Sequence, residues 1–137
     1  MIENMTSKYA KEIVKWVYEK PYDIYGMPDG YDEIMSSFYA VTEGDLIGFF
    51  CLDKHAQVPP YEYDASFVDF GIGLRPDLCG KGHGESFMRE VMAYIDKPLR
   101  LTVLAWNTRA ISLYKKLGFK EVDRFFRGDR QFIVMTQ

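Results

Sequence analysis

The sequence contains only two cysteines, Cys51 and Cys79, among 137 residues. Two thiols in this arrangement give neither a disulfide framework nor a metal-binding spacing, so reduced thiols and no metal site are expected. No apolar stretch approaches the length of a membrane span, and the N-terminus lacks the pattern of a signal peptide. We therefore expect a cytoplasmic protein with no membrane partner.

Basic residues are also too few and too scattered for a nucleic-acid surface. The chain has 17 Lys and Arg against 20 Asp and Glu, a formal net charge of −3. Phosphate backbones are bound by clustered Lys and Arg, and here these residues group only in short pairs. The charge therefore argues against nucleic acid as a partner and mildly favours a cationic one.

Apolar and aromatic residues, by contrast, are plentiful. Hydrophobic residues make up 47% of the chain and aromatic residues 16%, with ten Tyr and ten Phe, which argues for a packed globular fold. A chain of this length can bury a core of its own, so residues 1–137 are predicted to form a single domain. Most of the rings are expected in that core, and some are expected to line a pocket.

The segment from Leu74 to Gly84 is the most informative part of the sequence. An apolar strand runs into a turn, and three glycines then alternate with Lys81 and His83 before a helix begins. Glycine admits positive φ and has no Cβ, so successive amides can converge on an anion, to which the helix N-terminus adds its dipole. The segment predicts a phosphate-binding loop, with a plain glycine-rich turn as the alternative.

The glycine spacing narrows the class of phosphate ligand. A P-loop closes with Gly-Lys followed by Ser or Thr, whereas Lys81 is followed by Gly82. A dinucleotide fingerprint needs G-x-G-x-x-G and an acidic residue about 20 positions further on, whereas Gly80, Gly82 and Gly84 are spaced by two. The spacing therefore disfavours a protein that binds ATP or NAD.

A second segment, residues 101–119, has the pattern of a strand, an Asn at its end and a short helix closed by glycine. Together the two segments resemble the GNAT N-acetyltransferase superfamily, whose members use acetyl-coenzyme A. The family loop reads Gln/Arg-x-x-Gly-x-Gly/Ala; Gly82 and Gly84 match it, and Cys79 stands where Gln or Arg is usual. The downstream pattern Asn-x-x-Ala-x-x-x-Tyr-x-x-x-Gly-Phe is met by Asn107, Ala110, Tyr114, Gly118 and Phe119.

The resemblance implies an α/β (α+β) fold with a mixed, mostly antiparallel central sheet of six to seven strands. Helices flank this sheet, two central strands splay apart, and the element order is βααβββαβαββ with a vestigial first strand. Turn signals and periodicity independently predict a hairpin around Gly44, strands over 66–74 and 99–105, and helices over 31–36, 84–94 and 108–117. A first helix, capped by Thr6 or Ser7, is predicted to bury one face formed by Tyr9, Ile13, Trp16 and Val17.

Carried over residue by residue, the resemblance implies how acetyl-coenzyme A is held. The backbone near Ile72, Gly73 and Leu74 is expected to contact pantetheine, and an amide there to polarise the thioester carbonyl. A strand bulge explains the glycines of this strand about as well. Asn107 is expected to cap its helix and to contact the cofactor. The pyrophosphate is expected on the loop residues Cys79, Gly80, Lys81, Gly82, His83 and Gly84.

Two residues are candidates for the acid–base chemistry. Tyr114 matches the family tyrosine that gives a proton to the leaving thiolate, and the alternative is a core tyrosine on its helix. Asp69, on the strand that feeds the loop, is the candidate general base, and the alternative is a strand carboxylate paired with a Lys or Arg. A water relay would need no base, and the weaker candidates are Glu85, Glu33 and His55.

These observations predict an N-acetyltransferase in which an amine attacks acetyl-coenzyme A directly, without an acyl-enzyme. The acceptor is an amine of a small molecule or peptide, set by the aromatic segments 18–31 and 55–63. Candidate contacts are Tyr22, Tyr25 and Tyr31. The protein is expected as a monomer or a homodimer. The alternative function is a non-catalytic acyl-coenzyme A binding module or sensor on the same fold.

Overall fold

The structure, a computed structural model, describes all residues from Met1 to Gln137. Its elements follow the predicted order βααβββαβαββ, with three short 3-10 turns at Tyr22–Tyr25, Asp53–Ala56 and Pro76–Leu78. None of the helices is long and apolar enough to cross a membrane. The helices are α1 (Ser7–Ile13), α2 (Tyr31–Ser37), α3 (Gly84–Ile95) and α4 (Thr108–Lys116). The strands are β1 (Ile2–Asn4), β2 (Phe38–Glu43), β3 (Asp45–Leu52), β4 (Val68–Leu74), β5 (Leu99–Leu104), β6 (Lys120–Arg127) and β7 (Arg130–Thr136).

Contacts within the chain divide it into two compact units, so that the single domain stays a prediction. The first unit comprises Met1–Cys51 and Ile72–Val91, and the second comprises Leu52–Gly71 and Met92–Gln137. Strand β4 begins in the second unit and ends in the first.

In the first unit, β1, β2 and β3 pair in antiparallel fashion, and the end of β4 follows β3. The hairpin between β2 and β3 turns at Gly44, whose φ of 77° suits glycine, and a bulge interrupts the ladder between Val41 and Thr42. The core of this unit contains the fully buried side chains Ala10, Ile13, Ile34, Ala40, Val41, Phe50, Met88 and Val91.

Helix α1 is shorter than its sequence pattern predicts. The Thr6 hydroxyl caps it by accepting from the amide of Tyr9 at 3.1 Å, as expected. The helix ends at Ile13, and the amides of Lys15 and Trp16 donate three residues back, which tightens the last turn. The predicted inward position of Val17 is therefore wrong, and its side chain is 80% exposed.

In the second unit, the strand order is β4-β5-β7-β6. Only the β4–β5 pair is parallel, and its register pairs are Val68↔Leu99 and Asp69↔Arg100. The two other ladders are antiparallel, and β6 forms the edge. The seven strands form a mixed, mostly antiparallel sheet, as predicted. Fully buried side chains here include Leu99, Phe119, Val134 and Met135.

Candidate active site

The glycine loop (residues 79–84) follows β4 and the 3-10 turn Pro76–Leu78, and its last residue begins α3. Gly80 and Gly82 have φ of 71° and 85°, so the backbone alternates in handedness as an anion-binding nest requires. A Cβ built at Gly82 would meet no atom within 4 Å, so the space beside its backbone is open. Lys81 and His83 lie exposed on the same loop. The loop can therefore offer amides and a positive charge to an anion.

The N-terminus of α3 adds to this site. The helix has twelve residues, and its Phe87 amide donates to the His83 carbonyl at 3.2 Å. The amides of the first helical turn have no intrahelical partner and carry the positive end of the helix dipole. The acidic residue of this turn, Glu85, is paired with Arg89 four residues on, at 3.0 Å. These features fit a bound diphosphate.

Cys79 lies at the start of the loop with its donors already engaged. Its amide donates to the Pro76 carbonyl at 3.2 Å and closes the 3-10 turn. Its thiol lies 3.6 Å from the carbonyls of both Leu74 and Arg75. The residue at the Gln/Arg position of the pattern thus faces its own chain.

The glycine at position 73 has a packing reason. A Cβ on Gly73 would lie 2.1 Å from the ring of Phe49, closer than any real contact. Phe49 is itself held by stacking on Trp16 and Phe38, with ring centroids 6.0 and 5.2 Å apart. A bulky neighbouring ring, rather than a bulge, therefore accounts for a glycine here.

Tyr114 lies on α4, and Asn107 is the residue that caps this helix. The Asn107 side chain accepts from the Ala110 amide at 3.2 Å, which is the predicted helix cap. Tyr114 is partly buried, and its ring meets that of Phe119 edge-on with centroids 6.2 Å apart. The Tyr114 carbonyl accepts from the Phe119 amide at 3.0 Å, which fixes the turn after the helix.

Asp69 forms a buried ion pair. Arg100 Nε donates to its Oδ1 at 2.6 Å, and Arg100 Nη2 donates to its Oδ2 at 2.8 Å. Gln57 Nε2 donates to Oδ2 at 3.0 Å. Asp69 and Arg100 are only 2% and 5% exposed. The Asp69 hydrogen bonds, together with its charge, raise the pKa of Arg100. The geometry matches the ion-pair alternative for Asp69.

The same arginine fastens the segment that precedes β4. Arg100 Nη2 also donates to the Asp64 carbonyl at 2.7 Å, and its guanidinium lies over the rings of Tyr63 and Phe67 at 5.2 and 5.5 Å. The Tyr63 hydroxyl accepts from the Val58 amide at 3.1 Å. A cavity of about 420 Å³ opens beside this cluster. Its polar lining includes Asp53, Gln57, Tyr63, Asp64, Asp69 and Lys97.

The aromatic residues predicted to contact the acceptor all lie in the first unit. Tyr22 and Tyr25 are the first and last residues of a 3-10 turn, with Tyr22 partly buried and Tyr25 38% exposed. Tyr31 begins α2, and its hydroxyl lies 2.8 Å from Ser7 Oγ. Of the weaker base candidates, Glu33 and His55 are exposed.

Arg100 and Tyr18 hold residues of the candidate site, but the sequence did not single out either of them as a site residue. Arg100 was detectable in principle, because a charged residue inside the apolar strand Leu99–Leu104 is expected to have a buried partner. Tyr18, whose hydroxyl donates to the Leu74 carbonyl at 2.7 Å, gives no such signal. The two residues are 56 positions apart.

The family model and the curated proteins that match this chain are all acetyltransferases. The family model described as "Acetyltransferase (GNAT) family" matches residues 6–119. The L-amino acid N-acetyltransferase AaaT of Escherichia coli (strain K12) is 35% identical over 86 residues, covering 59% of this chain and 51% of that protein. The thialysine N-epsilon-acetyltransferase of Bos taurus is 40% identical over 55 residues, covering 37% of this chain and 32% of that protein. The chain thus spans about half the length, or less, of the curated relatives it matches.

Solved structures share the fold at low sequence identity. AAC(6')-Ib in complex with paromomycin and acetyl-CoA superposes with a TM-score of 0.79 at 17% identity, covering 100% of this chain and 92% of that one. A spermidine N-acetyltransferase SpeG chimera from Vibrio cholerae and hSSAT superposes with a TM-score of 0.74 at 18% identity, covering 99% and 93%.

Proposed function

Since the chain belongs to the GNAT acetyltransferase family, we propose that it is an acetyl-coenzyme A-dependent N-acetyltransferase. The acetyl group passes from the thioester to an amine of a small molecule or peptide. Both curated relatives are named as N-acetyltransferases, and the AAC(6')-Ib neighbour was crystallised with acetyl-CoA.

The observation that carries this proposal is the glycine loop in front of α3. Positive φ at Gly80 and Gly82 and the open space at Gly82 suit a diphosphate held by backbone amides. The Cys79 amide is used within the chain, so the amides from Gly80 onward are the ones proposed to bind. Lys81 adds a charge, and the His83 and Gly84 amides complete the cradle. The backbone of Ile72–Leu74 is proposed to contact pantetheine and, through an amide, the thioester carbonyl.

In the proposed reaction, the amine nitrogen attacks the thioester carbonyl carbon. A C–N bond forms, the C–S bond breaks, and the thiolate of coenzyme A leaves. Tyr114 gives its hydroxyl proton to that thiolate and regains a proton from solvent. Asn107, which caps the helix that carries Tyr114, is proposed to contact the cofactor as well.

The amine must also lose a proton. Asp69 was the candidate base, but both of its oxygens accept from Arg100 and one also from Gln57. A buried carboxylate held this way is better suited to fix the segment before β4 than to exchange protons with a substrate. We therefore assign proton removal to water and a positioning role to Asp69.

The acceptor is proposed to contact Tyr22, Tyr25 and Tyr31. The names of similar proteins include an L-amino acid, thialysine and spermidine as acceptors, all of which carry amines. The net charge of −3 favours such a cationic partner over nucleic acid. We propose action in the cytoplasm, as a monomer or homodimer.

A second candidate function is a non-catalytic acyl-coenzyme A binding module. The observation that favours it is Cys79, which stands where the family has Gln or Arg and faces its own chain. The two functions differ in turnover but not in cofactor binding.

The test is a titration of the thermal midpoint with acetyl-coenzyme A, using desulfo-coenzyme A, ATP and NAD as comparators. A ligand that binds only the folded state raises the midpoint, so we expect a rise with the coenzyme A compounds and not with ATP or NAD. Free-thiol release across a panel of amines then separates the enzyme from the binding module. No rise with acetyl-coenzyme A would refute both.

A matched pair of variants locates the binding. Gly82→Asp places a carboxylate where the pyrophosphate is proposed, and the expected midpoint rise with acetyl-coenzyme A disappears. Gly44→Asp is the control, because Gly44 also has positive φ, at 77°, and open space around it. If both variants keep the full rise, the glycine loop is not the site.

A further inference from the structure

Tyr18 makes a long-range hydrogen bond to the end of β4, just before the segment that leads into the glycine loop. Its hydroxyl donates to the carbonyl of Leu74, the last residue of β4, over 2.7 Å. The side chain is partly buried, and this burial, together with the nearby Cys79 thiol, raises the pKa of the hydroxyl. The group therefore stays protonated and acts as a donor across the physiological range.

Arg75, the residue after Leu74, attaches the chain to β3. The Arg75 amide donates to the Ile47 carbonyl at 2.8 Å, and Arg75 Nη1 donates to the Leu46 carbonyl at 2.9 Å. The same guanidinium is paired with Asp77 at 2.6 Å. Arg75 thus fixes one side of the loop entry, and Tyr18 fixes the residue immediately before it.

Tyr18 belongs to a different segment of the chain from these partners of Arg75. It follows the end of α1 and precedes the 3-10 turn that carries Tyr22 and Tyr25. The Cys79 thiol also lies 3.6 Å from the Leu74 carbonyl, and a thiol is a weak donor. Replacing the Tyr18 hydroxyl would therefore remove the stronger of these two side-chain donors.

We propose that Tyr18 is a positioning residue for acetyl-coenzyme A. By holding the Leu74 carbonyl it sets the direction in which the chain enters residues 75–84, and hence where the Gly80–Gly84 amides point. This inference rests on the proposed function, since it assumes that the loop binds the cofactor. It goes further by giving a residue outside the family pattern a share in cofactor affinity.

The test measures the acetyl-coenzyme A dissociation constant by calorimetry for the wild type, Tyr18→Phe and Tyr9→Phe. Tyr9 is the matched control: it lies on α1 in the same unit, is also partly buried, and has a hydroxyl for which the structure shows no hydrogen bond. Loss of one hydrogen bond that orders the site should raise the dissociation constant of Tyr18→Phe about three- to tenfold. That of Tyr9→Phe should stay at the wild-type value.

Measurement well below the unfolding midpoint separates positioning from stability. A purely structural hydroxyl would lower the midpoint and leave the dissociation constant of the folded protein unchanged. Amide hydrogen exchange provides a second readout, with faster exchange expected in residues 75–84 of Tyr18→Phe and unchanged exchange in β1 and β2.

The outcomes distinguish this inference from the proposed function. Failure of the wild type to bind acetyl-coenzyme A would overturn the proposed function, and the inference with it. Binding by the wild type and equal binding by Tyr18→Phe would overturn the inference alone. A weaker Tyr18→Phe beside an unchanged Tyr9→Phe supports it.

Discussion

Replacing Asp69 by Asn separates a structural carboxylate from a catalytic base. The substitution keeps the shape of the side chain but removes its charge and one acceptor. An Asn amide group in place of one carboxylate oxygen would face the donors of Arg100 or Gln57, which now approach within 2.6 to 3.0 Å. Arg100, only 5% exposed, would lose its buried counter-charge.

The expected cost follows from that burial. Removing one partner of a buried ion pair costs about 3–5 kcal/mol, because the other charge is left uncompensated. The remaining carboxylate, Asp64 at 3.3 Å from Arg100, is 73% exposed and can replace Asp69 only in part. With a urea m-value of about 2 kcal/mol/M, the unfolding midpoint of Asp69→Asn should fall by about 2 M.

Urea unfolding followed by circular dichroism is the assay, with Asp64→Asn as the matched control. That variant makes the same chemical change on the exposed partner of the same arginine, so a much smaller shift is expected. The double variant Asp69→Asn with Arg100→Gln removes the stranded charge, and we expect it to unfold at higher urea than Asp69→Asn alone.

The turnover number of Asp69→Asn distinguishes a positioning role of Asp69 from a role as general base. At a temperature where Asp69→Asn stays folded, a positioning role predicts a turnover number within a few-fold of the wild type. A stability equal to the wild type, together with a loss of turnover of about 10²-fold or more, would refute the reasoning and make Asp69 the base.

Three further predictions test other parts of the structure. Tyr114→Phe should lower the turnover number in a thiol-release assay by about 10²- to 10⁴-fold and leave the acetyl-coenzyme A dissociation constant unchanged; unchanged turnover would remove the assigned role. Gly73→Ala should lower the free energy of unfolding by about 1–3 kcal/mol, because its Cβ would overlap Phe49, and Phe49→Leu should restore part of it; a stability equal to the wild type would contradict the packing. Burial raises the pKa of Tyr18, so its contribution to stability is complete below the unfolded value of about 10 and is lost as the pH rises above it. The free energy of unfolding of the wild type should therefore fall more steeply above pH 10 than that of Tyr18→Phe, and equal slopes would show that Tyr18 is not protected.

Features that depend on neighbours along the chain could be predicted from the sequence. The Asn107 cap reaches only to Ala110, and the Gly44 turn needs only its own positive φ. The bounds of α3 and α4 were predicted within about a residue, because an apolar stripe at helical spacing ran between clear end signals. The same logic failed at Val17, where the stripe continued past the last helical turn.

The candidate site was predicted only in part, for a related reason. The glycine loop is contiguous, so its residues were identified together. Asp69 was singled out because it lies on the strand that feeds the loop, but its partner Arg100 is 31 positions away and becomes its neighbour only through the register of β4 and β5. Whether such a carboxylate exchanges protons or holds a cation depends on that neighbour.

By itself, the sequence determined the glycine-rich segment and the residues that match the family pattern, because both depend on local spacing, and the resemblance to that family implied the order of the elements. Tertiary structure alone decided that Asp69 is held by Arg100, that Phe49 requires glycine at position 73, and that Tyr18 fixes Leu74. Each of these depends on contact between two segments that are far apart in the chain. The spacing of residues along the sequence does not show which distant segments come into contact.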